Sequence, residues 1–392
     1  MRGAAGGANL LALRSHNTAL VLDLLRTAGG AGISRLELAE RTGLTPQAVS
    51  KITARLRGEG LAAEAGRRAS TGGKPRTVLR LVPGAGHALG VHLDRDELRA
   101  VLVDLDGTVV AERRAPLDLG AGAETVLEGV ARAAEELAAE GLGHLVAEDA
   151  RVPGAALAAA PTLLGLGVAL PGPLDHVRGV LHRITGFPGW DGYPLREALE
   201  RRLGVPVVVD KDTNAAALGL AVGGAGGEAA GAGARGGSFA YLHLGTGLGA
   251  GLVFGGGVHR GARTGAGEFG HQVVQLDGPP CTCGARGCIE ALCLAAVARG
   301  DLAEAARVLG TGAANLAGLL DIDLVLLGGR TVAAAPEPFV HGVGAVLDAR
   351  ARREGGHDGP VPVRLAPAGA RGVAEGAAQL LLAPLFGRGE GG

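Results

Sequence analysis

The residues of this 392-residue chain best suited to chemistry are crowded into one stretch, GEFGHQVVQLDGPPCTCGARGCIEAL, Gly267 to Leu292. It holds three of the four cysteines, and Cys293 follows at once. One residue separates Cys281 from Cys283, and Cys288 lies five further on, with Gly284 and Gly287 letting the backbone fold tightly between them. Three thiolates gathered in this way supply zinc with most of a tetrahedron, and His271 is the obvious fourth ligand. Three unrelated buried thiols would not cluster in a loop this rich in Gly and Pro. Cys293, within the helical stretch EALCLAAVA, reads as a small buried side chain instead.

Two further stretches carry polar groups at marked positions. VVVDKDTNAAAL puts Asp212 where a strand ends and a helix begins, a place for a helix cap or for an acid facing a cleft. GTGLGAG, Gly245 to Gly251, is a glycine turn between two strands. No helix follows it, so it is not a dinucleotide fingerprint, and a plain hairpin remains as good a reading as a phosphate cradle.

Positioning such groups takes a scaffold, and the pattern of elements suggests one. HALGVHLDRDELRAVLVDLDGTVVAERRAPL reads as three short strands with tight turns, and AETVLEGVARAAEELAAEG as an amphipathic helix. Residues 150–161 read as a loop insertion, followed by the buried strand LLGLGVAL, the helix PLREALERRLG and the buried strand VPVVVD. After a flexible loop at Gly223–Gly237 come the paired strands SFAYLHL and AGLVFGG, the helix LAEAARVLGTGAANLAGLL, the strand DLVLLGG and the closing helix VAEGAAQLLLAPLF. A strand meander followed by helices, occurring twice, predicts two α/β lobes with a cleft between them.

The N-terminal part differs in charge. Residues 1–80 carry 13 Lys+Arg against 5 Asp+Glu, a net of +8, whereas the remainder carries −9. A basic head on an acidic body points to a polyanionic partner for the head alone. NTALVLDLLRTAG, SRLELAERTG and TPQAVSKITARLRGEGL form a helix–short helix–turn–helix pattern with Ser34 and Thr45 as caps. LAAEAGRRASTGGKPRTVLRLVP adds a strand, a basic turn and a second strand, which makes a wing. Thr45, Gln47, Ala48, Ser50, Lys51 and Arg55 are the expected DNA-facing residues of the last helix, with Arg67, Arg68, Lys74 and Arg76 in the wing. Pro83–Gly86 reads as a linker. No signal peptide is evident, and the two uncharged stretches Val152–Leu174 and Gly236–Val258 hold too many prolines or glycines for a spanning helix. A cytoplasmic protein is expected, in which clustered cysteines favour metal over disulfide. Aromatic residues amount to only 2%, so the cores must be built from Ala, Val and Leu.

GEFGH followed by CTCGARGCIE resembles the signature of the ROK family of repressors, open reading frames and sugar kinases. GVALPGPLD, GWDGYPLREALERRLGVPVVVDKDTNAAAL, LGTGLGAGLVFGGGVHRGARTGAGEFGH and DLVLLGG extend the likeness over most of residues 85–385. The resemblance implies an actin-like pair of ribonuclease-H-like lobes behind a winged helix-turn-helix at 1–82. The first lobe would span 87–205, closed by a C-terminal helix at 372–386, and the second 206–371. It implies a structural zinc on His271, Cys281, Cys283 and Cys288, and sugar hydroxyls contacted by Lys211, Asp212, Glu268, His271 and Glu290. In family kinases Asp212 would be the general base and the turn at Gly245, Thr246, Gly247 and Gly249 would cradle ATP phosphate.

Two departures oppose catalysis. Lys211 stands where the kinases usually have Asn, and a cation beside Asp212 is expected to weaken it as a base. The Asp-x-Gly-Gly-Thr segment of the kinases is replaced by GVHLDRDELRA, where Asp94, Asp96 and Glu97 are expected to repel a triphosphate. The expectation is a sugar-responsive transcription regulator, most simply a repressor, that binds operator DNA and a sugar or sugar phosphate as a homodimer or homotetramer, with zinc but without ATP. A hexose kinase fused to a winged helix is the alternative.

Overall fold

The computed structural model describes residues 16–68, 76–149, 162–184, 186–223, 237–355 and 359–388. The insertion expected at 150–161, residues 224–236 of the glycine-rich loop, Lys74 and the side chain of Arg68 lie outside the described residues.

The chain opens with α1 (His16–Ala28), β1 (Ile33–Ser34), α2 (Arg35–Thr42) and α3 (Pro46–Gly58). The caps read from the sequence are present. Ser34 and Glu37 form a reciprocal capping box at α2, and the Thr45 hydroxyl accepts from the Ala48 N–H at 3.2 Å, with Pro46 opening α3. β2 (Ala62–Arg68) and β3 (Arg76–Leu81) pair antiparallel, and β1 adds to β3. The four residues expected as a linker contain a single helical turn, Pro83–Ala85, before the next strand begins.

The first lobe is built from β4 (Gly86–Leu93), β5 (Glu97–Asp104), β6 (Val109–Pro116), α4 (Ala123–Asp149), β7 (Thr162–Leu170), the small hairpin β8 (Leu174–Asp175) and β9 (Val180–Leu181), α5 (Leu195–Leu203) and β10 (Val207–Lys211). The second consists of α6 (Asp212–Val222), β11 (Phe239–Leu244), β12 (Leu248–Phe254), β13 (Gly257–His259), α7 (Ile289–Ala298), α8 (Leu302–Leu320), β14 (Leu324–Gly328), α9 (Arg330–Ala334), α10 (Pro336–Glu354) and β15 (Val363–Leu365). α11 (Gly372–Leu382) closes the chain against the first lobe. The two main sheets run β10-β7-β4-β5-β6 and β13-β12-β11-β14-β15. Each is an antiparallel meander extended by two parallel strands, so one plan is used twice. The division read from the sequence at 205/206 needs correcting, because β10 pairs in parallel with β7 and belongs to the first sheet. The lobes meet one strand later, at the β10–α6 junction.

α6 and α11 cross between the lobes. Both are apolar or small on every side and almost wholly buried, the pattern of an interior helix rather than a surface one. Small residues let them approach at backbone distance. A Cβ on Gly376 would stand 2.0 Å from the Ala215 carbonyl oxygen, and one on Gly167 of β7 only 1.8 Å from that of Ala377. The N-terminal helices join this core instead of hanging from it. Val21, Leu22, Leu25, Leu56 and Leu79 form one buried cluster with Val101, Val103 and Leu105 of the first lobe and Ala374, Leu381 and Phe386 of the C-terminus. Arg388 pairs with Asp23 at 2.8 Å, and Arg26 lies over the Phe386 ring at 4.4 Å. Gly167→Ala should therefore destabilise the protein by about 3 kcal/mol or more, since backbone faces backbone and no rotamer can yield. Urea denaturation followed by circular dichroism measures it.

Candidate functional site

The β10–α6 junction opens onto a cleft of about 710 Å³ between the lobes. The first lobe supplies Asp94, Arg95, Pro171 and Gly172, and the second Asp212, Thr246, Gly247, Gly249, Glu268, His271 and Glu290. Lys211, the last residue of β10, lines it from below. Every sugar-contacting residue expected from the sequence thus reaches one cavity. Of the glycine turn, Thr246, Gly247 and Gly249 line the cleft, whereas Gly245 sits one step back and donates its N–H to the Gly247 carbonyl at 2.9 Å.

A buried carboxylate fixes the junction. Asp210 is 1% exposed and accepts from the Lys211 N–H at 2.8 Å, the Asn214 side chain at 3.0 Å and Arg260 Nε at 2.7 Å. A buried charge tolerates such a position only when paired and hydrogen-bonded, and here it is both. Lys211 is also buried, at 3% exposure, and its ammonium donates to the Ala266 carbonyl at 2.5 Å and to Glu268 Oε1 at 3.0 Å. Lys211 was expected to act as a cation beside Asp212, but its ammonium turns to Glu268 instead, fixing that carboxylate at the cleft wall. Asp212 Oδ1 accepts the Thr213 N–H at 2.7 Å, and Glu290 Oε2 accepts the Leu248 N–H at 2.9 Å. Each acid keeps an oxygen for a further donor.

His271, Cys281, Cys283 and Cys288 come together as read. Their four ligand atoms all lie within 4.8 Å of one another. Cys283 Sγ to Cys288 Sγ and Cys281 Sγ to His271 Nδ1 are both 3.7 Å. Tetrahedral zinc with metal–sulfur bonds of about 2.3 Å has edges of about 3.8 Å, so the donor set fits that ion. His271 faces the sulfurs through Nδ1, which leaves Nε2 for the cleft it lines. Cys293 stands apart, fully buried, with its thiol donating to the Ala305 carbonyl.

The turn after β4 departs from expectation in its physics. Asp94, Asp96 and Glu97 are not free charges. Arg330, at the start of α9, donates to Asp94 at 2.9 Å and to both oxygens of Asp96 at 2.7 and 3.0 Å. Thr246 donates to the other Asp94 oxygen at 2.9 Å, while Arg99 and Arg114 share Glu97. Burial would raise the Asp94 pKa, but the Arg95 N–H, His92, Thr246 and Arg330 together hold it below its ordinary value. For Asp96 the hydrogen bond from Arg330 comes first and acts in the same direction. Arg330 was not singled out in the sequence. Its only signal is a cation directly after the glycine pair of DLVLLGG, and its partners lie more than 200 residues away. Asp210 and Arg260 carry no mark in the sequence either, because their pairing comes from burial and not from spacing.

On the N-terminal helices, Gln47, Ser50, Lys51 and Arg55 are exposed along α3, with Thr45 at its cap and Arg67 and Arg76 exposed on the hairpin strands. Arg55 also donates to the Thr18 hydroxyl at 2.6 Å. Among the described residues no helix is long and apolar enough to cross a membrane.

A twice-used sheet plan, two crossing helices and a carboxylate-lined cleft define an α/β core of the sugar-kinase type. The ROK family model matches residues 88–299, more than half of the chain, and the chain belongs to the ROK family. It is 28% identical over 258 residues to the xylose repressor of Bacillus subtilis, covering 66% of this chain and 61% of that one. The chain thus spans about three fifths of the length of such relatives. Among solved structures, the ROK hexokinase of Thermus thermophilus is 31% identical with a TM-score of 0.56, covering 74% of this chain and 96% of that one. A ROK family transcriptional regulator described as a homologue of the E. coli MLC protein shares the fold over 95% of this chain and 97% of its own, with a TM-score of 0.71 at 20% identity.

One buried group near the cleft gives a pH test. His92, on β4, is buried with Nε2 unpartnered, and burial pushes its pKa down to about 4. Between pH 6.5 and 4 the unfolded chain binds a proton there that the native protein does not, so stability falls as pH falls through that window. His92→Asn should remove about 3 kcal/mol of this acid-side loss. Urea midpoints at pH 7 and pH 4.5, compared between wild type and variant, check it.

Proposed function

We propose that the protein is a sugar-responsive DNA-binding transcription regulator, acting as a repressor, whose cleft binds a sugar without phosphorylating it. The observation that carries this reading is the turn after β4. Phosphoryl transfer rests almost wholly on positioning and neutralising phosphate. Where family kinases offer glycine amides, this chain offers Asp94, Arg95 and Asp96, with both carboxylates already taken by Arg330. In this reading that wall has no amide-lined loop with which to wrap a triphosphate.

In this reading the cleft keeps only its recognition half. Asp212, Glu268, Glu290 and the Nε2 atom of His271 hydrogen-bond sugar hydroxyls, and carboxylates suit polyols because each accepts two hydroxyl protons. Zinc on His271, Cys281, Cys283 and Cys288 would supply structure, not reaction chemistry: it fixes the loop and the tautomer of His271. The winged helix-turn-helix is α1 to β3. Its exposed α3 residues, from Thr45 through Gln47, Ser50 and Lys51 to Arg55, read the major groove, with Arg67 and Arg76 at the flanking backbone. A homodimer or homotetramer supplies two half-sites, and sugar shifts operator affinity by binding one lobe arrangement better than the other. The repressor among the relatives and the net charge of +8 over residues 1–80 support it. The kinase alternative is supported by Asp212 at the strand–helix junction beside the Thr246–Gly247 turn and by the 31% identity to the ROK hexokinase of Thermus thermophilus.

The test pairs operator-binding titrations with an ATP-coupled assay over a panel of pentoses and hexoses, xylose included. The expected outcome is a sugar-dependent change in DNA affinity of about 5–150-fold and no turnover. Glu268→Gln, which keeps an oxygen to accept from the buried Lys211 ammonium, should abolish the sugar response and leave sugar-free operator binding intact. Turnover at ordinary enzyme rates would instead establish the kinase. Separately, the purified protein should hold about one zinc per chain, and Cys283→Ser should lose it together with sugar binding. Elemental analysis finding a full zinc complement in that variant would exclude Cys283 as a ligand.

A further inference from the structure

Next to the cleft lies a second, open cavity, and Asp94 and His243 line both. The remaining lining of the second includes His92, Glu97, Arg99, Arg114 and Arg330. The wall between the two is built from both lobes. Asp94, from the β4–β5 turn of the first, lines both; Thr246, from the hairpin turn of the second, lines the cleft, and Arg330, from α9, lines the second cavity, while Asp96 stands beside them at the surface. Four hydrogen bonds of 2.7–3.0 Å cross this seam: Arg330 to Asp94 once, Arg330 to Asp96 twice, and Thr246 to Asp94. A guanidinium gripping one carboxylate with two parallel bonds, and a second carboxylate besides, fixes direction as well as distance. The ionic groups around it are balanced, since Glu97 is shared by Arg99 and Arg114. The contact is unequal in exposure: Asp94 is 16% exposed and Asp96 63%, so the Asp94 bond is the better shielded from water and salt.

We infer that Arg330 is a positioning residue for the cleft, an internal clasp that holds the first-lobe turn against the second lobe, stands between the cleft and the second cavity, and so preforms the sugar-binding arrangement without any nucleotide. The contact is made wholly from the chain's own side chains. An effector then meets a cleft whose nucleotide-side wall is already in place, and its affinity is not divided by a small closed fraction. The effect on effector binding rests on the sugar-binding reading above; the clasp itself does not.

The experiment uses the full-length chain as wild type, Arg330→Ala, Arg330→Lys and Asp96→Asn. In ligand-free protein, hydrogen exchange is followed at the β4–β5 turn and at residues 245–247, and the lobe separation by small-angle scattering, each at low and high salt. Arg330→Ala should speed exchange at both turns together by about tenfold and widen the lobes, because one local opening frees both sides. Arg330→Lys should restore part of the effect, its charge remaining but its fork lost. Asp96→Asn should do least. The gap between wild type and Arg330→Ala should narrow at high salt, which loss of mere packing would not produce. Calorimetry against xylose and the other panel sugars should show about fivefold weaker binding in Arg330→Ala for any sugar that the wild type binds. Unchanged exchange and unchanged lobe separation in Arg330→Ala would overturn the inference. If no panel sugar binds the wild type, the functional reading fails, while exchange and scattering still decide the clasp.

Discussion

The close approach of α6 and α11 is the constraint on which the rest of the molecule depends. With so few aromatics, the interior cannot be filled by large side chains that hold elements apart, and the backbones themselves come together. Gly376 against Ala215, and Gly167 against Ala377, leave no room for a methyl group. This contact sets the distance between the two sheets, and the cleft is the space that remains above it. Asp212 begins α6, so the same helix that ties the lobes also carries an acid to the cleft. Structure and recognition share one element, and neither can be altered alone.

Charge is arranged around that frame by pairing at successive depths. Asp210 with Arg260 is sealed inside, Lys211 with Glu268 spans the cleft wall, and Asp94 and Asp96 with Arg330 close its edge. Buried ion pairs seldom add much net stability, but losing one partner is costly, which makes them good at enforcing a single geometry. That fits a cleft in which direction of hydrogen bonding matters more than overall charge. Acids left partly unsatisfied, such as Asp212 and Glu290, are those that line the cavity.

Much of this was legible in the sequence. The cysteine spacing with His271 named the four donors, the two meander-and-helix blocks gave two lobes, and Ser34 and Thr45 marked helix starts that the structure reproduces. What stayed hidden was pairing across long separations. Lys211 was expected beside Asp212 because they are neighbours in the chain, yet at a strand–helix junction adjacent side chains diverge, and the long stem of Lys211 reaches Glu268. β10 does not show its lobe in the sequence, because a buried apolar strand carries no mark of its partner. The acids after β4 read as repulsive for the same reason, since nothing in the local sequence announces Arg330.

The single turn at Pro83–Ala85 has a mechanical consequence. α1, α3 and β3 share buried apolar contacts with β5 and with α11, so the N-terminal helices pack on the first lobe and on the helix that crosses between the lobes, with only one short turn between them. A change in how α11 sits against α6 could not stay within the cleft: the same side chains, Ala374, Ala378 and Leu381, are the floor on which α1 and α3 rest.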